Sequence, residues 1–169
     1  DTLGLNPDEI YKMYETIPSI KGKDQFVVEM TKSVFDPNFT TQGKENIQKF
    51  VHDLVGYYVI MEGIFFYAGF VMMLSMLRKN RMVGIGEQFQ FILRDESVHL
   101  AFGADLINTI VQENPQIWTP EFKAKLTDNI KRGVGLISSV TIDFDFTASF
   151  LPRATPAMSG MMASTSEMP

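Results

Sequence analysis

Residues 54–77 read LVGYYVIMEGIFFYAGFVMMLSML, and Glu62 is the one formally charged residue in the run. By length such a run can cross a bilayer. A carboxylate in mid-bilayer is costly, however, and the stretch also carries Tyr57, Tyr58, Tyr67 and several glycines, so a buried helix of a bundle with no membrane partner fits better. Within and just before it, Val51, Val55, Tyr58, Glu62, Phe65, Gly69, Met73 and Met76 recur at spacings of three and four. That is the period of one face of an α-helix, and it places Glu62 inside an apolar stripe.

C-terminal to the run, the basic turn Arg78-Lys79-Asn80-Arg81 leads into a second long helical pattern from Val83 to about Glu113. Its stripe is Ile85, Phe89, Ile92, Glu96, His99, Gly103, Leu106 and Ile110, so Glu96 and His99 are expected to be buried with it. A short turn makes the two helices antiparallel neighbours. Glu62 and Glu96 are equidistant from Lys79, each roughly 25 Å along its own helix, so the two carboxylates meet at one height. Two buried carboxylates repel unless one is protonated or a cation bridges them. The imidazole at i+3 favours the cation: Glu-x-x-His with a Glu from a neighbouring helix is half of the ligand set of di-metal carboxylate bundles. The chain has no Cys, so any metal is held by oxygen and imidazole, a donor set suited to iron or manganese. The plainer alternative is a protonated or salt-bridged core pair, since the Glu-x-x-His spacing alone is a weak signal. Phe65, Phe66, Phe70, Phe89 and Phe91 read as large core residues that can also keep water from an oxidising centre. His52 stands beside Asp53 without a Glu three residues earlier and is assigned no role.

The remaining patterns are helical as well. Asn6-Pro7 is a capped helix start, Pro18 closes that helix, and a second one is expected from about Lys23 to Val34. Residues 36–43, DPNFTTQG, form a loop. Thr119-Pro120 opens a last helix whose apolar face carries Phe122, Leu126, Ile130, Ile137 and Phe144. The class is all-α, a partial ferritin-like bundle, with a helical domain over 1–135 and the end of the last helix plus an irregular Ser-, Thr-, Met- and Pro-rich tail over 136–169. A net charge of -5, with no basic run interleaved with aromatics, argues against nucleic acid as a partner. The first residues, DTLGLNPDEI, lack the regions of a signal peptide and also an initiator Met, so a cytoplasmic protein with a truncated N-terminus is expected.

The strings YYVIMEGIFFYAGF (57–70) and EQFQFILRDESVHLAFG (87–103), with DTLGLNPDEIYKMYETIPSIKGKDQF before and ENPQIWTPEF after them, resemble the small, radical-generating subunit of class I ribonucleotide reductases over about residues 1–130. The likeness is greatest to the manganese/iron branch. By that resemblance Glu62, Glu96 and His99 are metal ligands, and Asp95 is the carboxylate that links the metal site to the radical-transfer path. Phe66, Phe70 and Ile92 line the apolar pocket at the radical position. The resemblance implies a di-iron or manganese/iron cofactor, a homodimer, and a large subunit that uses the stored oxidant to reduce ribonucleotides to deoxyribonucleotides. It also places the family's other Glu-x-x-His, a further acidic ligand and the radical Tyr or substituting Phe upstream of Asp1. This chain would then be a fragment or a split or frameshifted product, with half the ligand set. Beyond about residue 134 the pattern departs: Leu151-Pro152-Arg153 is followed by Ala154 where the family has Gly. The alternatives are another ferritin-like di-metal oxidase or oxygenase, or a non-catalytic helical remnant.

Overall fold

The computed structural model describes Gly4 and residues 6–143, without the side chains of 138–143. All regular structure among these residues is helical. The expected tail, including Phe144 and Leu151-Pro152-Arg153, lies outside them.

Helix α1 spans Pro7–Thr16, and the Asn6 side chain caps it by accepting the Asp8 N–H at 3.0 Å. Helix α2 spans Pro18–Thr31, earlier than the expected start at Lys23. Pro18 both ends α1 and stands at the first position of α2, where its missing N–H is harmless. The segment Lys32–Phe35 tightens into a 3-10 turn. After the loop, a continuous helix α3 runs Lys44–Arg78. Asn80 and Met82 take positive φ in the turn, and α4 spans Val83–Glu113. A 3-10 turn at Pro115–Ile117 precedes α5, Pro120–Asp143, whose start is capped by Thr119 Oγ1 accepting from the Phe122 N–H at 3.3 Å.

The middle of α3, Val55–Phe66, is a π-helix flanked by α-helical Lys44–Leu54 and Tyr67–Arg78. This stretch is the hub of the fold, touching α2, α4 and α5. One core cluster joins Val51 and Val55 of α3 to Ile107, Ile117, Phe122 and Leu126, and a second joins Ile60 to Phe26 and Met30 of α2. The π register explains why Ile60, off the expected stripe, is fully buried while Tyr58 and Phe65 are half-buried. By length and composition α3 is the one described helix able to cross a membrane.

Helix α4 packs chiefly on α3. Its buried residues are Gly86, Gly103 and Ile107, and the glycines permit close approach: a Cβ at Gly86 would sit 2.6 Å from Leu77 Cβ, and one at Gly103 would overlap the Tyr58 ring. Much of the expected stripe of α4 is therefore open. Ile85 is exposed, and so is Phe91, which sequence reading counted as core. A helix with one neighbour can bury only the face turned toward it.

Candidate metal centre

Glu62, on the π stretch, is 5% exposed, and its Oε2 atom is buried without a hydrogen-bond partner. Opposite it on α4, Glu96 is half-buried and its Oε2 meets His99 Nδ1 at 3.2 Å. One ligand atom each from Glu62, Glu96 and His99 lies within 4.8 Å of the others. The antiparallel hairpin thus brings the two carboxylates to one level, and the i+3 spacing adds the imidazole on the same face of α4. Burial differs from expectation: the His99 side chain is 56% exposed and that of Glu96 14%, because α4 has no described helix over this side.

Burial pushes the Glu62 carboxyl above the ordinary carboxylate range, and the neighbouring Glu96 charge pushes it further. His99 and a hydrogen bond from Tyr57 act in the opposite direction. Tyr57 is raised in turn, by burial first and then by Glu62. An orphaned buried oxygen facing a second carboxylate and an imidazole fits a divalent cation: two hard oxygen donors and one nitrogen converge, and the positive charge offsets the repulsion that raises Glu62.

The other singled-out residues are distributed differently. Phe70 is buried and its ring meets Phe89 across the helix pair at 5.9 Å between centroids. Phe66 reaches Phe70 at 6.2 Å but is exposed, as is Ile92, so the described residues do not enclose the expected apolar pocket. Asp95 is exposed and pairs with neither Arg78 nor Arg94 among the described residues. Sequence reasoning missed Tyr57 as an electrostatic neighbour of Glu62. Residues five apart are about 140° apart on an α-helix, so no α-helical period could have joined them.

The whole pattern, a Glu on one helix and Glu-x-x-His on its antiparallel neighbour, coincides with a family match. The family model described as ribonucleotide reductase, small chain, matches residues 1–162. The chain belongs to the ribonucleotide reductase small-chain family. It is 48% identical over 153 residues to a ribonucleoside-diphosphate reductase subunit beta of Chlamydia pneumoniae, which covers 90% of this chain and 42% of that protein. A subunit beta of Halalkalibacterium halodurans is 26% identical over 129 residues, covering 76% of this chain and 35% of the relative. One from Treponema pallidum is 34% identical over 74 residues, covering 44% and 21%. The chain thus spans less than half the length of these small-chain relatives.

Proposed function

We propose that this chain carries part of the di-metal carboxylate centre of a class I ribonucleoside-diphosphate reductase small subunit, with Glu62, Glu96 and His99 as protein ligands. The observation that carries the reading is the convergence of three ligand atoms around an unpartnered carboxylate oxygen. The donor chemistry suits iron or manganese, and the resemblance favours di-iron or manganese/iron. Bound there, the metals supply dioxygen activation and storage of a one-electron oxidant. The chain's own residues orient ligands and limit water: Phe70 and Phe89 meet across the helix pair and Phe66 touches Phe70, and with Ile92 they are the residues that the resemblance assigns to the apolar pocket. Asp95, next to Glu96 and exposed, is the candidate link through which the oxidising equivalent leaves toward a separate large subunit, where ribonucleotides are reduced to deoxyribonucleotides. Homodimerisation and a cytoplasmic setting complete the reading, with neither nucleic acid nor membrane as partner.

Two metals in a bundle of this kind take carboxylates from four helices, whereas α3 and α4 offer three ligands. The chain alone should hold at most one weakly bound divalent ion. Elemental analysis after mild purification tests this, and two equivalents of tightly bound iron or manganese per chain would refute it. In a preparation where the remaining ligands are supplied by added small-subunit helices, tight binding should appear, and Glu96→Ala or His99→Ala should abolish it.

A further inference from the structure

Glu62 on α3 and Glu96 and His99 on α4 are the donors of a single helical hairpin. A di-metal carboxylate bundle takes one Glu from each of two helices and a Glu-x-x-His from each of the other two. That set is the contribution of this hairpin taken twice. A two-fold axis supplies such a repetition, because in an isologous pair each copy meets its partner with the same surface.

The surface beside the donors suits that role. Phe91, Val98 and Phe102, spaced seven and four apart, lie along one side of α4, and each is more than half exposed. Ile92 and His99, also seven apart, form the neighbouring row and are exposed as well. The two phenylalanine rings alone leave on the order of 200 Å² of apolar surface open, and Ile92 and Val98 enlarge the patch toward the size of a recognition surface. A standard interface buries roughly 800 Å² on each partner, so apolar contact alone falls short of a stable dimer. Charge decides the rest. Glu62 and Glu96 put two carboxylates on this face, so two copies brought together without metal oppose four like charges. Two divalent cations balance those four charges and turn repulsion into bridging.

Resting on the reading of Glu62, Glu96 and His99 as ligands, we infer that the open α3–α4 face binds a second copy of this chain, so that two copies share one di-metal centre and each supplies half of its ligands. The pairing is metal-dependent: apolar contact brings the faces together, and only the cations make four facing carboxylates compatible. The other occupant of the face is the set of further helices of a longer small subunit, and the association state of the chain on its own separates the two.

The test follows the full chain by analytical ultracentrifugation and by Mn(II) titration read from the free-ion electron paramagnetic resonance signal, with EDTA as the metal-free control. The 19.1 kDa chain should sediment as a monomer in EDTA and at twice that mass with one Mn(II) per chain. Its affinity for Mn(II) should rise with chain concentration. Val98→Glu keeps every ligand and alters an exposed side chain, so it folds as wild type does, checked by its urea midpoint. It should stay monomeric and bind Mn(II) about tenfold more weakly, because it adds like charge to both sides of the contact. A wild type that binds Mn(II) yet stays monomeric, while Glu96→Gln loses the ion, overturns the pairing, leaves the ligand reading standing and points to added small-subunit helices as the occupant. A dimer that persists in EDTA and in Val98→Glu also overturns it, since the contact then lies elsewhere. If wild type binds no Mn(II), or Glu96→Gln binds it as wild type does, the ligand reading fails and the shared centre with it.

Discussion

Helix α3 buries two carboxylates, and they are treated in opposite ways. Asp53 is 2% exposed and Glu62 5%. Asp53 Oδ2 accepts the Val34 N–H at 3.0 Å and Oδ1 meets His52 Nδ1 at 3.3 Å. His52 Nε2 accepts from Asn129 Nδ2 at 3.0 Å, an arrangement that makes Nδ1 the protonated nitrogen and the imidazole neutral. Every member has a partner, and the cluster ties the 3-10 turn, α3 and α5 together. Glu62 has an oxygen with no partner, a like charge nearby and an exposed imidazole beside it. Burial alone therefore does not distinguish structure from function. Satisfaction does: a fully bonded polar network stabilises one arrangement, whereas a buried orphan oxygen destabilises the chain until something binds it.

The contrast predicts opposite signs for matched substitutions. Asp53→Ala strips partners from His52 and from the Val34 N–H and should destabilise the chain by about 3 kcal/mol in urea unfolding. Glu62→Gln should instead stabilise the metal-free chain, on the order of 1 kcal/mol, because it removes a poorly solvated charge. The pH dependence follows from the raised carboxyl of Glu62. A carboxyl raised by folding contributes stability below its unfolded value near 4.5 and loses it as pH rises through the folded value, so the advantage of Glu62→Gln should be present at pH 7 and vanish toward pH 4. An equal advantage at both pH values would break the comparison.

His52 gives a smaller effect. Burial holds its imidazole below the ordinary value of 6.5, with the Lys125 charge acting in the same direction and Asp53 opposing both. An imidazole lowered by folding contributes stability above 6.5 and loses it as pH falls below, because the unfolded chain takes up the proton first. Wild type should lose stability between pH 7 and pH 5 by a component that His52→Gln lacks, read from paired unfolding curves. The smallest effect belongs to Asp95→Asn: the side chain is exposed and unpaired among the described residues, so stability should change by less than about 0.5 kcal/mol. A larger change would mean that Asp95 is structural, contrary to its proposed place on the oxidant's exit path.

Much of this protein is determined by local pattern. Apolar residues at spacings of three and four specify α-helices, the cap at Asn6 and the turn at 78–81 set where they start and reverse, and equal distance from Lys79 brings Glu62 level with Glu96. These features depend on neighbours in sequence or on one hairpin, where geometry leaves little freedom. The junction at Pro18 was legible as a boundary, but not that Pro18 begins α2 at once. Tertiary structure alone decided three things. It set which faces are covered: α4 meets chiefly α3, so His99 and Ile92 face outward although their periodicity matches that of buried residues. It joined His52 and Asp53 to Asn129, a pairing across 77 positions that no periodicity encodes. And it imposed the π register on Val55–Phe66, where packing against three helices at once overrides the 3.6-residue repeat and sets Tyr57 against Glu62.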